Sequence, residues 1–213
     1  AAATMNEAVH GLILHQLQLN PGFSLVLVGH SMGGGLCALL RLLQEDVPVS
    51  VKVYIFGPPC VISFRDWKLT RKADIISVTM DGDLFSRLSI GHLSDIGVAI
   101  STLCGNDDLR EQIIRICRGK VQNMDPDLLR WCSDTYAQLK EVMVNEKLVP
   151  PGRILRLSLS GPRGRRVLRV QEESPTHYLA IKAGPGMLDL QHHVPMRYQR
   201  FLGELASAAL ESS

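Results

Sequence analysis

The residues of this chain that could do chemistry are a serine, an acid and a histidine, in that order. Ser31 lies in Gly29-His30-Ser31-Met32-Gly33, which fits the G-x-S-x-G pattern of a serine held on a sharp turn. A serine hydroxyl is a poor nucleophile at neutral pH, so it needs a base within hydrogen-bond reach and a carboxylate that orients this base. Candidates for both follow Ser31, and the pattern therefore predicts attack by Ser31 on an acyl carbonyl.

The acid has three candidates. Asp83 is the favoured one, because it ends the turn Asp81-Gly82-Asp83 directly after a predicted strand. Asp81, in the same turn, is the near competitor, and Asp189 is a distant one.

The base has two candidates next to each other. His193 leads and His192 follows, because both come after the candidate acids in the chain. His30 is held by the turn beside the nucleophile, so we expect it to be a packed structural residue. The remaining histidines, in predicted helices or loops, are expected to be structural or surface residues: His10, His15, His92 and His177.

The elements around Ser31 explain how its hydroxyl would be presented. Residues 25–28 are apolar and predict a short buried strand, and residues 36–43 predict the helix that follows the turn. The Met32 N–H, at the start of that helix, would point to where an oxyanion forms. The alternative is a glycine-rich turn that has no chemical role or that cradles phosphate, but neither G-x-G-x-x-G nor a P-loop lysine follows. Three glycines are expected to clear the space that the bend needs: Gly29, Gly33 and Gly34.

Two more buried strands are predicted at residues 51–56 and 75–80, which are rich in β-branched residues. Strands separated by helices or long crossovers indicate a parallel sheet with helices on its faces. Active groups in such sheets lie beyond the carboxyl ends of the strands, where Ser31 and Asp83 both fall. The fold class is therefore α/β.

Residues 92–147 differ from the rest in predicting only helices. Two stretches, 92–100 and 108–118, precede a third helix with Asp125 as N-cap and Pro126 at its first position. We interpret the segment, about 92–150, as a helical insertion in a single domain of residues 1–213. The apolar stripe of the third helix is expected to pack against protein, and lipid binding is the alternative. Its members are Leu128, Leu129, Cys132, Tyr136, Leu139 and Met143.

The sheet is expected to resume in the last third of the chain. Residues 153–159 and 167–170 predict a hairpin around a turn at 160–164, residues 178–181 a further short strand, and residues 196–210 a terminal helix. From Arg153 to Arg169 there are six arginines and no acid. This edge could either favour an anionic membrane surface or simply be solvated and resistant to aggregation.

Bulk composition excludes several classes. The length of 213 residues is enough for a full core, and a net charge of +2 gives no general attraction to nucleic acid. Five cysteines without C-x-x-C spacing predict free thiols, no zinc site and an intracellular protein, either cytoplasmic or membrane-associated. No apolar run is long enough for a membrane span, and no signal peptide opens the chain. Because the sequence begins without a methionine, we expect further chain upstream of Ala1.

Five segments together resemble the class 3 lipase family, and within it the branch similar to sn-1-specific diacylglycerol lipases. They extend over about residues 5 to 205, nearly the whole chain, and are more specific together than singly. In chain order they are Gly29-His30-Ser31-Met32-Gly33-Gly34, the F-G-x-P-like Phe56-Gly57-Pro58-Pro59, the D-x-V-P-R-L-like Asp83-Leu84-Phe85-Ser86-Arg87-Leu88, the P-P-G-R-I segment Pro150-Pro151-Gly152-Arg153-Ile154, and the D-H-x-P-like His193-Val194-Pro195.

The resemblance implies an α/β-hydrolase fold, represented here by the C-terminal part of its mostly parallel sheet. It implies Ser31 as nucleophile, Asp83 as orienting acid, His193 as base and the Met32 N–H as one oxyanion donor. His192 stands where the family motif has an acid, and Ser86 where it has a proline. The family's second oxyanion donor and its lid lie upstream of this segment. Roughly the first half of the family's sheet also lies outside it, so the strand before Ser31 is expected to have a bare edge.

The leading hypothesis is a serine ester hydrolase that cleaves acylglycerols and needs no metal or organic cofactor. The alternative is a lipase-like module that no longer catalyses and serves interaction or regulation. A third possibility is the same three residues acting on a thioester or a peptide-like substrate. Peripheral contact with a membrane surface is expected to accompany the leading hypothesis.

Overall fold

The computed structural model describes residues 1–44, 46–117, 126–160, 167–180 and 190–211. Within them the α-helices are α1 Ala2–Leu19, α2 Met32–Leu43, α3 Trp67–Lys72, α4 Ile90–Gly105, α5 Asp107–Cys117, α6 Pro126–Val142 and α7 Pro195–Glu211. The strands are β1 Leu25–His30, β2 Val51–Phe56, β3 Ile62–Ser63, β4 Ile75–Met80, β5 Leu148–Val149, β6 Arg153–Ser160 and β7 Val167–Glu172. Short 3₁₀-helices occupy Phe85–Arg87, Pro175–Tyr178 and Leu190–His192.

The chain divides into two compact units. One unit combines residues 1–89 with 147–213, and the other is the helical segment Ile90–Glu146. The first unit is built on a five-stranded sheet in the order β1-β2-β4-β6-β7. Strands β1, β2, β4 and β6 are parallel, and β7 pairs antiparallel with β6. The predicted fold class, α/β with a mostly parallel sheet and flanking helices, is confirmed.

Helices cover both faces of this sheet. In β2 the side chains alternate, so that Val53 and Ile55 are fully buried whereas Lys52 between the strand's apolar residues is exposed. The buried side chains pack against Ala38 of α2 and against α1. On the other face Tyr198 and Phe201 of α7 form the second core with residues of β4, β6 and β7. This packing sets α2 and α7, which carry residues of the candidate site, against opposite faces of one rigid sheet.

Strand β1 is an edge of the sheet within the described residues. It pairs with β2 in the register Leu25↔Val51 to His30↔Phe56. On its outer side Val26 is 48% and Val28 63% exposed. The bare edge that the sequence led us to expect is present in the part of the chain that the structure describes.

Some predicted elements differ from the observed ones. The strand predicted at residues 178–181 is absent from the described residues 178–180, and Pro175–Tyr178 is instead a 3₁₀-helix. Ser174 caps the start of this helix, since its side chain accepts a hydrogen bond from the Thr176 N–H. The strands β3 and β5 were not predicted, and they pair antiparallel with each other over two residues each. The turn at 161–164, Asp125 and Ile181 lie outside the described residues.

The helical unit contains α4, α5 and α6, as predicted, although α4 is longer than expected. The Asp95 Oδ1 atom accepts hydrogen bonds from both nitrogens of Asn145, at 3.1 and 2.7 Å, which ties α4 to the segment after α6. Leu129 and Tyr136 are 50% and 60% exposed, so the expectation that the α6 stripe packs against protein is wrong for these two side chains. Among the helices described, none is long and apolar enough to cross a membrane.

Candidate active site

Ser31 lies on a strained bend between β1 and α2. Its backbone has φ 54° and ψ −129°, a positive φ that is rare for a residue other than glycine. The bend is held from both sides, because the Ser31 N–H donates to the Phe56 carbonyl at 2.9 Å and the Ser31 carbonyl accepts from Gly34 N–H at 2.9 Å. The hydroxyl is thereby fixed on a rigid turn, as the G-x-S-x-G pattern predicts.

The glycines of this bend differ in how much they are needed. A Cβ on Gly29 would lie 2.5 Å from the Gly33 carbonyl oxygen, and one on Gly34 would lie 3.1 Å from Ile55 Cβ. The steric prediction therefore holds for Gly29 and Gly34. It is wrong for Gly33, whose Cβ would have no neighbour within 4 Å among the described atoms. Gly35, which the sequence did not single out, is closely packed under Pro59 and Val61.

Three predicted residues come together at the carboxyl end of the sheet. His193 Nε2 is 2.8 Å from Ser31 Oγ, and His193 Nδ1 is 3.0 and 3.1 Å from the two carboxylate oxygens of Asp83. With the proton on Nδ1, the ring donates to Asp83 and leaves Nε2 free to accept from the serine hydroxyl. This arrangement can deprotonate Ser31 as it attacks. The catalytic roles themselves stay a prediction.

Asp83 is a buried carboxylate that is surrounded by hydrogen-bond donors. It is 1% exposed, and its Oδ2 accepts from the Tyr198 hydroxyl at 2.7 Å and from Ser86 Oγ at 2.8 Å. Its Oδ1 accepts from the Phe85 N–H at 3.0 Å. Burial and then the nearby Asp83 charge raise the pKa of Tyr198 far above its ordinary value, so the phenol stays a donor. These donors hold the negative charge that burial would otherwise make costly.

The competitor Asp81 faces a different set of partners. Its side chain is half exposed, and its Oδ1 lies 3.1 Å from Arg156 Nη1 and 3.9 Å from Arg87 Nη2. Asp81 thus pairs with arginines, whereas Asp83 meets the histidine. The third candidate, Asp189, lies outside the described residues.

The two candidate bases are also separated by their surroundings. His192 ends a 3₁₀-helix, and its ring occupies the space that a Cβ on Gly82 would need. The next residue, His193, donates its backbone N–H to the Leu190 carbonyl at 3.0 Å, and its ring lies within hydrogen-bond distance of Ser31. The structure therefore brings His193 to the serine and packs His192 on the acid turn.

His30, the residue before the nucleophile, contacts the candidate base. Its Nε2 lies 2.7 Å from the backbone carbonyl oxygen of His193, so the strand before the nucleophile is linked to the main chain of the base. The His30 and His193 rings are 4.8 Å apart, and the Phe85 ring lies 4.4 Å from His193. The expected structural role of His30 is thus a role at the candidate site.

Sequence reasoning missed Tyr198 and the role of Gly57. Gly57 has φ +55°, and a Cβ there would lie 3.1 Å from Asp83 Oδ2, 3.2 Å from the Tyr198 hydroxyl and 3.3 Å from His193 Cε1. The F-G-x-P-like segment was a signal for Gly57, although it did not reveal why a glycine is needed. Tyr198 has no such signal, because it is one aromatic residue on the buried side of a terminal helix.

Met32 is the first residue of α2, so its N–H is one of those left free by helix geometry. The helix dipole also favours negative charge at this end. This is consistent with the predicted oxyanion donor, which stays a prediction. Among the described residues, no group of three or more His, Cys, Asp or Glu is placed to hold a metal ion.

Comparison with known proteins gives matches that each cover less than half of the chain. The family model "Lipase (class 3)" matches residues 1–92, which include Ser31 and Asp83 but not His193. Diacylglycerol lipase-beta of Mus musculus is 29% identical over 96 residues, which are 45% of this chain and 14% of that protein. The chain thus spans only a small part of this relative's length.

A solved structure also matches, namely a lipase from Rhizopus microsporus var. chinensis. It is 18% identical, with a TM-score of 0.39, and the match covers 43% of this chain and 34% of that one. The family model is the more informative match, since it includes the elbow and the acid turn. Residues 1–92 are thus similar to the class 3 lipase family, and for this part of the chain the resemblance predicted from its motifs is confirmed.

Proposed function

We propose that this chain is the catalytic part of a serine ester hydrolase that cleaves acylglycerols. The observation that carries the proposal is the position of His193, with Nε2 2.8 Å from Ser31 Oγ and Nδ1 3.0 Å from Asp83. At these distances the histidine can take the proton of the serine hydroxyl while the carboxylate holds the imidazole ring in place. The family match over residues 1–92 supports ester hydrolysis.

In the proposed reaction, Ser31 Oγ forms a bond to the acyl carbonyl carbon while its proton passes to His193 Nε2. The carbonyl oxygen becomes an oxyanion beside the Met32 N–H. Collapse of this intermediate breaks the ester bond, and His193 returns the proton to the leaving alcohol. Water then attacks the acyl-serine with the same base, which releases the fatty acid and restores Ser31. Asp83 holds the imidazole in place and stabilises the imidazolium that forms.

An acylglycerol substrate suits the surroundings of the site. Met32 is 81% exposed and Phe85 40% exposed, so apolar surface flanks the reacting atoms. The matching mouse protein is named a diacylglycerol lipase, which makes diacylglycerol the substrate to test first. The match to this mouse protein covers only 14% of its length, so the preference for diacylglycerol over other acylglycerols is itself proposed here.

Peripheral contact with a lipid surface is part of this proposal. On α4 the side chains of Leu93 and Ile100 are 56% and 55% exposed. The arginines around β6 offer less positive charge to an anionic surface than their number suggests, because two of them are paired with acids. Arg153 lies 2.9 Å from Glu172, and Arg156 lies 2.7 Å from Glu173. We therefore expect contact to depend on apolar side chains more than on anionic lipid.

The proposal is tested on the full-length protein with a fluorophosphonate probe and with acylglycerol substrates. Ser31→Ala is expected to abolish labelling and diacylglycerol hydrolysis, whereas Ser24→Ala, which changes an exposed serine, is expected to keep both. Labelling of Ser31→Ala at the level of the wild type would show that the assignment is wrong. A folded wild-type protein without turnover would favour the interaction module instead, and a panel with triacylglycerol, monoacylglycerol and thioesters would define the substrate.

A further inference from the structure

The acid loop departs from the D-x-V-P-R-L-like motif at two neighbouring positions. Phe85 stands at the valine position and Ser86 at the proline position. Both residues belong to the 3₁₀-helix Phe85–Arg87, which begins two residues after Asp83. In this structure each of the two side chains contacts a different member of the candidate triad.

Ser86 contacts the carboxylate. It is 1% exposed, and its hydroxyl donates to Asp83 Oδ2 at 2.8 Å, beside the hydroxyl of Tyr198 at 2.7 Å. The opposite oxygen, Oδ1, is held by the backbone N–H of Phe85 at 3.0 Å. Because donors hold both oxygens, the plane of the carboxylate is fixed and both oxygens stay within reach of His193. A proline at this position has no hydroxyl to offer.

Phe85 contacts the imidazole. Its ring centroid is 4.4 Å from that of His193, with 36° between the planes. On His193 a second ring, that of His30, packs at 4.8 Å and 44°. Ring contacts of this kind limit the tilt of the imidazole about its χ2 bond. A valine side chain has no flat face for such a contact.

We propose that Phe85 and Ser86 are a pair of positioning residues, of which Ser86 fixes the plane of the Asp83 carboxylate and Phe85 fixes the tilt of the His193 ring. The proposal rests on the proposed function, since it concerns the same three residues. A hydroxyl that donates to an ionised carboxylate makes a charge-assisted hydrogen bond, which is stronger than a neutral one. Ser86 and Phe85 act on neighbouring groups of one hydrogen-bonded pair, so we expect their effects to be coupled.

The test compares Ser86→Ala, Ser86→Thr and Phe85→Leu with the wild type, using a water-soluble ester so that lipid binding plays no part. We expect Ser86→Ala to lower kcat about tenfold with little change in KM, because it removes a charge-assisted hydrogen bond from a group that acts in the transition state. Ser86→Thr restores a hydroxyl and is expected to recover most of that loss. Phe85→Leu is expected to lower kcat about threefold to tenfold, because a misplaced base reduces the rate.

The pH profile separates positioning from a purely structural role. Removing a donor leaves the charge of Asp83 less stabilised by hydrogen bonds, so the carboxylate holds the His193 proton more strongly. The acid limb of the kcat/KM profile should therefore move to higher pH in Ser86→Ala and return in Ser86→Thr. The matched control is Ser63→Ala, which breaks a hydroxyl–carboxylate hydrogen bond of 2.7 Å to Asp66 in another part of the unit and should leave both kcat and the profile unchanged.

The outcomes distinguish the two proposals. If Ser31→Ala keeps its turnover, or if the wild type has none, the proposed function fails. If Ser31→Ala is inactive while Ser86→Ala and Phe85→Leu match the wild type in kcat and pH profile, only the positioning role is overturned. A Ser86→Thr variant no better than Ser86→Ala would also overturn it, since a restored hydroxyl would then be without effect.

Discussion

Two polar clusters lie on either side of Gly82, and each contains one aspartate of the same turn. The triad cluster consists of Ser31, Asp83, Ser86, His193 and Tyr198. The arginine cluster consists of Asp81, Arg87, Arg156, Glu173 and His177. Although Asp81 and Asp83 are two residues apart, Asp83 is 1% exposed and meets neutral donors, whereas Asp81 is half exposed and meets cations.

The difference between the clusters is one of charge. In the arginine cluster Arg156 lies 2.7 Å from Glu173 and 3.1 Å from Asp81, and Arg87 donates to His177 at 3.0 Å, so the carboxylates are neutralised. In the triad cluster hydroxyl and N–H groups hold Asp83 without cancelling its charge. A carboxylate that keeps its charge can stabilise an imidazolium, and one already paired with arginine does so less well. Neutral donors around a buried carboxylate therefore support Asp83 as the candidate acid better than its place in the turn does.

The largest predicted effect separates the two aspartates. Asp83→Asn is expected to lower kcat by about ten-thousandfold, because an amide favours the wrong imidazole tautomer while keeping the shape. Asp81→Asn is expected to change kcat less than about threefold, since its partners are arginines. The measurement is steady-state hydrolysis of a water-soluble ester, with thermal unfolding as a check that both variants fold. Equal losses in the two variants would contradict the comparison.

Features that depend on neighbouring residues in the sequence could be predicted, and features that depend on contacts between distant residues could not. Strands β1, β2 and β4 were predictable because buried parallel strands are short apolar runs, and the elbow was predictable because its glycines are local. The choice of Asp83 over Asp81 had support only from its position in the turn and from the resemblance of residues 83–88 to a family motif. The contacts that distinguish them come from Arg156, Glu173 and Tyr198, which are far along the chain. No short sequence pattern predicts contacts between residues so far apart in the chain.

Two other misses have the same physical origin. Strands β3 and β5 have two residues each, which is too short for any periodicity, and they form only because residues 62 and 149 meet in the fold. The predicted role of Gly33 failed because a motif names positions but not the direction in which a Cβ points. At Gly29 and Gly34 a Cβ would meet neighbouring atoms at 2.5 and 3.1 Å, as expected for a sharp bend.

A smaller loss of activity is expected from crowding the triad cluster at Gly57. Gly57→Ala would place a Cβ against Asp83, Tyr198 and His193 at 3.1 to 3.3 Å, at a backbone φ of +55°. We expect kcat to fall about tenfold to a hundredfold, since a displacement of about 1 Å at a reacting group has effects of this size. Stability should also decrease by about 1–2 kcal/mol because of the positive φ.

Gly11→Ala is the matched control, because its Cβ would have no neighbour within 4 Å among the described atoms and α1 lies in the same unit. Both variants are compared by ester hydrolysis and by urea unfolding. If Gly57→Ala loses stability but keeps full kcat, the glycine serves the backbone alone and its contact with the triad cluster has no catalytic consequence.

A further contrast, which concerns stability at alkaline pH and not activity, involves two buried tyrosines, one next to each cluster. Tyr198 donates to the Asp83 carboxylate, whereas Tyr178 is hydrogen-bonded to Thr79 at 2.7 Å and has the Arg87 guanidinium 5.6 Å from its ring centroid. Burial raises the pKa of Tyr178 to about 12, although Thr79 and Arg87 oppose this rise. For Tyr198 burial is also the main cause, and the Asp83 charge adds to it, so its pKa rises further. On raising the pH, the Tyr178 phenol should therefore ionise before that of Tyr198.

The sign of the effect on stability follows from linkage. In the unfolded chain a tyrosine ionises with a pKa of about 10, whereas Tyr178 keeps its proton until about pH 12 in the folded state. Between these values the folded state binds more protons, so the free energy of unfolding falls as the pH rises, by at most about 2–3 kcal/mol for this residue. Tyr178→Phe should make that fall less steep, and Tyr136→Phe, which changes an exposed ring, controls for the loss of a phenol. Urea unfolding at several alkaline pH values gives the slope, and ultraviolet absorbance of the phenolate gives the order of ionisation. If Tyr198 ionises first, the charge of the nearest cluster does not set the order, and the electrostatic contrast between the two clusters is wrong.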